Sequence, residues 1–544
     1  MTVTFDRRGI CSEGLRAGPA ICMSLMERFG ITGIIDDACI WDGQRVLSPG
    51  NAVKAVAGTM FTENPKQAMH NVSLFYSNAP ADRLFGPEAD LRSLNDTAIG
   101  RNLETVFAAD TEMLMYTVCA RVKGALGLEP RVFNIDPTNV TVDRSAGEEY
   151  TDLAPGAPVP MLGHPKDGST GRVQYNISSA VDEFGLAAYM RTCDGNKDDT
   201  AMISEAVRFI ERMLGDKRMI AVADSKMTHW SLVDHMFEHG THFVSRPQEK
   251  FAGGIKAKAI EAAKKAGDES FVYIGRIGSR RDSPEFEAFE TDLGYGGRVL
   301  RMVVYRSTDY AKRIRHMRRL DGKALKDLKA SLESASFGSE EEARSKYSEA
   351  IRPYSEKCFD TSSVFRSRRS SGGGTEWKVT FRAVFNEQRA LRFLKDDMKV
   401  LVTSLPRSDV GSDDPTEGAA TRDVMALYFG QWKIENLFGT MKSGMGADDV
   451  FFQNPDREAA MVFIMGVAAL IRAVVKRTLR SEYGRGFGIP GKITAERMFL
   501  LVQNTVVKYD RGEDRLYLDG SSDDIDTALS FIDALGIDPA KLLG

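Results

Sequence analysis

The chain has little that would staple, anchor or charge it. Its six cysteines, Cys11, Cys22, Cys39, Cys119, Cys193 and Cys358, are scattered, with no CxxC pair and no framework spacing. That argues against a structural zinc and a disulfide scaffold, and fits a reducing cytoplasm. No charged head followed by an apolar run opens the sequence, so no signal peptide is expected. The most apolar stretch, Ala459–Ile471, is too short to span a bilayer and is ended by Arg472, so it reads as a buried core helix. Net charge is only −4 and the pI about 6.1. Any nucleic-acid contact must then come from local basic patches rather than the field of the whole molecule. The hydrophobic fraction of 42% and charged fraction of 27% are those of a soluble globular protein. At 544 residues there is room for about three domains and a sizeable core. A soluble, cytoplasmic protein with no membrane partner is expected.

The most informative stretch is residues 424–443. Read as one helix, it places Val424, Leu427, Ile434, Leu437, Phe438 and Met441 on a flank that must be buried. Tyr428, Gln431, Glu435 and Lys442 fall on the adjoining flank, within an arc of roughly 60°. A core-edge helix aiming a carboxylate, an ammonium, an amide and a phenol one way is unusual for structure alone.

Upstream of it, residues 1–125 read as all-helical. Ser48-Pro49-Gly50 opens a helix through Phe61, and Asn95-Asp96-Thr97 caps another running to Ala109. Apolar spacing at 18–29 and 111–126 predicts two more. From residue 131 the period changes. Arg131–Asp136 reads as a short strand closed by Pro137, and 172–181 with 185–193 as a hairpin. A helix over about 199–214, capped by Asp198 or Asp199, leads to the apolar strand Met219–Ala223 with Asp224 at its end. Helix Thr228–His239, ended by Gly240, and strand Thr241–Ser245 follow. Residues 248–395 mix strands (271–276, 298–305, 376–385) with charged helix around 309–352 and a Ser/Gly stretch at 370–374. Strand Lys399–Ser404 and a polar loop at 407–417 lead into the 424–443 helix, and 480–544 read as helices with one strand, Asp514–Leu518. Strand, hairpin, helix, strand, helix, strand is the order of a ribonuclease-H-like α/β fold.

The spacing Tyr428, two residues, Gln431, three residues, Glu435, six residues, Lys442 resembles the Tyr-Arg-Glu-Lys motif of DDE transposases of the insertion-sequence-4 superfamily. Trp432, Ile434, Phe438 and Ser443 also resemble that group, whereas Gln431 stands where it usually has Arg. The resemblance covers most of residues 15–535. It implies an α/β ribonuclease-H-like catalytic core interrupted by a β-rich insertion, with an all-α N-terminal domain and a small C-terminal tail. The boundaries so drawn are 1–125, a helical domain for DNA binding or dimerisation; 126–247, the first part of the core; 248–395, the insertion; 396–480, the second part of the core; and 481–544. It further implies that Asp136, Asp224 and Glu435 are catalytic and hold two Mg²⁺ ions, with Mn²⁺ able to substitute. Carboxylates are the ligands that such hard cations take. Water would cleave at the element's end and the freed 3′-OH would attack target DNA. Transposon-end DNA and target DNA are the implied partners, with a homodimer in the DNA complex. Tyr428, Gln431 and Lys442 carry over as phosphate contacts.

Each residue has a plainer reading. Asp136 in isolation reads as a turn-capping aspartate before proline, and Asp224 as a cap for the next helix. Gly163–Asp167 and Gly195–Asp199 flank the hairpin at places matching the family, but Gly195 and Asn196 read better as the turn into a helix. Trp377, Trp230 and Trp432 read as core, Trp377 having a second reading as a platform for an unpaired base beside Lys378 and Arg382. Arg301–Arg319 holds seven basic residues against one acidic. Arg313, Arg315, Arg318 and Arg319 are its candidate DNA-backbone contacts, an exposed charged helix face being the alternative. His316-Met-Arg318-Arg319 with Tyr347 raises a tyrosine-recombinase reading, which lacks the further arginine and helical context such enzymes need. A DNA-binding descendant with lapsed chemistry, suggested by Gln431, is a third reading.

Overall fold

Ten consecutive residues, Val132–Thr141, form the strand around which the first part of the chain is built. The computed structural model describes residues 13–62, 71–142, 156–163, 172–278, 283–369, 375–408, 414–445, 454–483 and 495–544. Every residue of this strand except Asp136 is buried. Val132, Phe133, Ile135 and Val140 suit a pleated surface covered on both faces. The strand is longer than its sequence suggests, because it runs on through Pro137, which stands opposite Ser178. Its parallel neighbour Ile220–Val222 pairs only as far as Asn134, so beyond that level one side of the ladder needs no donor.

Val173–Asp182 pairs antiparallel along nearly all of that strand, then returns as Ala187–Cys193. Gly185 makes the turn at φ 82°, a conformation that side chains disfavour. Met161–Leu162 adds a short pairing at the start of Val173–Asp182. Helices Asp199–Leu214 and Trp432–Met445 both pack on Val132–Thr141 and Val173–Asp182. Asp198 caps the first of these, accepting from the Thr200 and Ala201 amides. Helix Trp230–His239 ends at Gly240, whose φ is 71°.

The chain divides into two compact units, Met1–Phe243 with Gly430–Gly544, and Val244–Phe429. In the first, the four expected N-terminal helices are Ala17–Arg28, Pro49–Thr59, Asp96–Ala108 and Thr111–Ala125, with Ser48 and Asn95 as side-chain caps. The segment is not wholly helical, however. Glu13–Arg16 is a strand paired with Val506–Asp510, which in turn pairs with Arg515–Asp519. A partner at the far end of the chain leaves no local trace in the sequence. The apolar helix runs Pro455–Tyr483, well past Arg472. By length and composition it could cross a membrane, yet 94% of its apolar window is buried inside the protein. Arg472 is tolerated there because its guanidinium donates to the Met60 carbonyl at 2.6 Å and lies over the Phe499 ring. Leu25, Phe61, Ile177, Leu437, Ile464 and Phe531 belong to one core, so N-terminal helices, strands and C-terminal region are packed together.

In the second unit, Val272–Arg276, Glu285–Tyr295, Arg298–Ser307 and Lys399–Thr403 form an antiparallel sheet, extended by Val244 and Ser245. Helices Tyr310–Ser334 and Glu340–Ser355 cover a hairpin, Phe359–Arg369 with Thr375–Phe385. This part has its own apolar cluster, including Tyr347, Phe359, Phe381 and Leu394. The single helix expected over 424–443 is two, Thr421–Phe429 and Trp432–Met445, parting at Gly430 and Gln431. Glycine costs a helix interior about 1 kcal/mol, and here the chain passes between the two units.

Candidate functional site

Asp136 is the one opening in an otherwise buried strand. The parallel pairing sets Val132 against Ile220, Phe133 against Ala221 and Asn134 against Val222. Carried two residues further, that register puts Asp136 level with Asp224. Neighbouring strands lie about 4.8 Å apart, so the two carboxylates share one end of the parallel pair. Asp224 also does structural work: it accepts from the Lys226 amide at 2.9 Å and caps the turn Ser225–Met227. Both aspartates are half-buried.

Glu435 lies exposed in the first turn of helix Trp432–Met445, where the helix dipole favours a carboxylate. The flank behind it is buried as expected, through Ile434, Leu437, Phe438 and Met441. That flank seats the helix on the strand carrying Asp136. The two aspartates thus stand on adjacent chain segments, and the helix carrying Glu435 packs on the strand of the first, without a preformed cage. Among the described residues, no three His, Cys, Asp or Glu side chains are gathered closely enough to hold a metal ion.

Of the phosphate-contact candidates, Gln431 and Lys442 are half-buried, Gln431 in the turn before the Glu435 helix and Lys442 on the helix itself. Tyr428 is only 8% exposed, on the separate helix Thr421–Phe429. The shared stripe read from a continuous helix therefore does not hold for Tyr428, because the helix breaks at Gly430. The basic segment is partly consumed by structure. Arg301 and Arg306 are buried ion-pair partners of Glu290 and Glu287. Arg313 pairs with Asp397 at 2.7 Å, and Arg318 pairs with Glu387 and lies over Phe385. Arg315 and Arg319 stand exposed on helix Tyr310–Ser334.

Tyr347 packs in an apolar cluster at 9% exposure, which does not suit a nucleophile. Trp230 and Trp432, expected in the core, are 63% and 52% exposed, while Trp377 packs against the second unit's cluster. Single tryptophans within apolar spacing read as core, and only the packed neighbours show which face each takes. Gly195 supports a close backbone approach, since a Cβ there would meet the Gln174 carbonyl oxygen at 1.9 Å. His164–Asp167 lie outside the described residues. Sequence reasoning missed one group of cations, Lys476, Arg477 and Arg480, whose one-face spacing on a long helix was the available signal.

The family model of the transposase DDE domain matches residues 127–471, a span that includes Asp136, Asp224 and Glu435. The chain belongs to the DDE transposase family, a class of nucleases and strand transferases whose members typically use divalent metals. A second model, a domain of unknown function (DUF4277), matches residues 20–120. No curated protein matches the chain. Among solved structures it is similar to a piggyBac transposase synaptic complex with hairpin DNA, at TM-score 0.37 and 9% identity, covering 91% of this chain and 82% of that one. It is also similar to a Mos1 mariner paired end complex with Mn, at TM-score 0.16 and 15% identity, covering 28% and 53%.

Proposed function

We propose that this chain is a cut-and-paste transposase of the insertion-sequence-4 type, with a ribonuclease-H-like core that cleaves transposon ends and joins their 3′-OH groups to target DNA. The observation that carries the reading is that Asp136 and Asp224 each stand two residues beyond the same end of the parallel pairing, Asn134 with Val222, with the Glu435 helix packed on the Asp136 strand. The strand arrangement supports it too: a hairpin beside the first strand and a parallel strand on its other side.

The two aspartates fit a shared cation, being hard oxygen donors on adjacent strands, and Glu435 is the third ligand in this reading. Two Mg²⁺ ions, when bound, would supply charge relief on the phosphate and a water of lowered pKa. The chain's own contributions are separate from that. The buried strand fixes Asp136 in place, and the turn Ser225–Met227 fixes Asp224. The apolar flank of helix Trp432–Met445 sets where Glu435 can reach. Gln431 and Lys442 bracket Glu435 and contact phosphates of the end DNA, with Arg315 and Arg319 as further backbone contacts and a homodimer holding two ends. The 248–395 segment acts as the insertion between the halves of the core.

The experiment is cleavage of end DNA by purified protein carrying Asp136→Asn, Asp224→Asn or Glu435→Gln. Each should abolish cleavage while end binding persists, because one metal ligand is lost and few DNA contacts change. Full cleavage by any one variant removes that residue from the site. A wild type that is inert but is activated by Gln431→Arg would favour the lapsed descendant.

A further inference from the structure

A cavity of about 480 Å³ beside helix Trp432–Met445 has no part in the reading above. Four elements of the first unit wall it. Leu126 and Leu128 precede the Asp136 strand, and Phe184 and Gly185 come from the hairpin turn. Trp432, Lys433 and Asn436 come from the first turns of the Glu435 helix, though Glu435 itself does not line the cavity. The C-terminal half of helix Pro455–Tyr483 contributes Arg472, Lys476, Arg477 and Arg480. Besides Arg472, whose guanidinium is engaged with the Met60 carbonyl, four cations line this space, and among the described residues no carboxylate does.

The plain explanation is that cations late in a helix answer its C-terminal dipole. Two observations go beyond that. Arg477 leans across onto the Phe184 ring, 5.0 Å from its centroid, and so is drawn over the cavity. Lys433 comes from a different helix, and its ammonium lies over the Trp432 ring on the cavity wall, 5.7 Å from the centroid. Among the described residues, neither Lys433 nor Arg477 has a carboxylate partner in an ion pair. Cations gathered round one space repel one another, and an anion placed among them would offset that. The remaining wall is flat and apolar, from Phe184, Leu128, Leu437 and the half-exposed indole of Trp432. A space of this volume is the size of a small-ligand pocket.

We propose that this cavity binds a nucleoside phosphate, its phosphate held by Lys433, Lys476 and Arg477 and its base against the Trp432 and Phe184 wall. Aromatic faces accept any base by stacking, and guanidinium groups suit phosphate. The nucleotide can come from solution or from a DNA strand, and the chemistry of the site is the same for both. The proposal does not rest on the carboxylate site.

The test is fluorescence anisotropy of the full chain with a fluorescent ATP analogue, displaced in turn by ATP, by a 5′-phosphorylated trinucleotide and by inorganic pyrophosphate. Saturable binding is expected, with pyrophosphate at least about tenfold weaker than the better nucleotide, since it lacks a base to stack. Displacement by ATP at least as tight as by the trinucleotide identifies the free nucleotide as sufficient, and displacement by the trinucleotide at least about tenfold tighter than by ATP identifies a DNA strand as the source. Lys476→Ala and Arg477→Ala should each weaken binding about tenfold through a lost charge-assisted contact. Arg477→Lys, which keeps the charge and loses the planar stack, should weaken it less and guards against misfolding of the Ala variant. Asp136→Asn should bind as wild type, so failure of the transposase reading would leave this result standing. No saturable binding, pyrophosphate equal to both nucleotides (an adventitious anion site only), or unaltered binding by folded Lys476→Ala and Arg477→Lys would each overturn the proposal.

Discussion

Glu290 holds three partners at once, which makes it the sharpest test of what keeps the second unit together. Its carboxylate accepts from Arg301 (Nη2 at 2.5 Å, Nε at 3.2 Å), from Arg407 Nε at 2.7 Å and from the Thr421 hydroxyl at 2.6 Å. Arg301 is 5% exposed and also donates to the Ala419 carbonyl at 2.6 Å. The network clamps strand Glu285–Tyr295 to the start of helix Thr421–Phe429. Glu290→Gln keeps the shape but leaves the buried Arg301 charge without its counter-ion. Breaking a buried pair from one side costs about 3–5 kcal/mol, and the lower end applies because Gln retains an acceptor. At about 2–4 °C per kcal/mol for a unit of this size, the melting midpoint should fall by about 6–12 °C. Glu356→Gln is the control, since the Arg352–Glu356 pair is 75% and 64% exposed and should be worth about 0.3–0.5 kcal/mol. Acid should report the same network. Burial pushes the Glu290 carboxyl up, but hydrogen bonds from Arg301 and Thr421 outweigh it and hold the group below the ordinary glutamate range. The folded state then binds a proton less readily than the unfolded one. The stabilisation is complete above the unfolded value, near pH 4.3, and is lost as pH falls through the folded one. Calorimetry at neutral and acid pH measures both effects. A midpoint shift no larger than that of Glu356→Gln, or an unchanged acid limb in Glu290→Gln, would mean that Glu290 does not hold this network together.

The other predictions concern DNA. Replacing Arg315 and Arg319 with Ala should flatten the slope of log K against log salt by up to ~0.9 for each, and an unchanged slope makes that face merely solvated. Arg313→Ala should instead lower the melting midpoint with little change in slope, because Arg313 is committed to Asp397; a slope change equal to that of Arg315→Ala would contradict this. Gln431→Arg exchanges a neutral donor for a charged, forked one, worth about 1 kcal/mol, so end binding and cleavage should rise severalfold. Lower activity in that variant would mean that the DNA takes a different path past Gln431.

Much of this was legible from sequence wherever the signal was local. Helix caps at Ser48, Asn95 and Asp198 placed their helices because a side-chain oxygen is needed at the first turn. The apolar run before Asp224 showed a strand covered on both faces. What escaped was set by distant partners. Glu13–Arg16 becomes a strand only through Val506–Asp510. Strands Glu285–Tyr295 and Phe359–Arg369 carry many charges or hydroxyls, so their alternation did not stand out. That Asp136 and Asp224 follow the same end of the parallel pairing depends on a register that no periodicity encodes. The break at Gly430 likewise removed Tyr428 from a stripe that the spacing alone had drawn through it.

If Asp136 and Asp224 touch the metal that cleaves DNA, exchanging the metal should rescue variants in which their ligand atom is changed. Asp136→Cys and Asp224→Cys replace a hard oxygen ligand with a soft thiolate, which Mg²⁺ binds poorly and Mn²⁺ tolerates better. End cleavage by each purified variant would be measured in Mg²⁺ and in Mn²⁺ beside the wild type and Glu376→Cys, a carboxylate removed on the second unit's hairpin. Both aspartate variants should be silent in Mg²⁺ and regain cleavage in Mn²⁺, while Glu376→Cys should cleave in either. Undiminished cleavage by Asp136→Cys or Asp224→Cys in Mg²⁺ would mean that the aspartate replaced does not hold the metal.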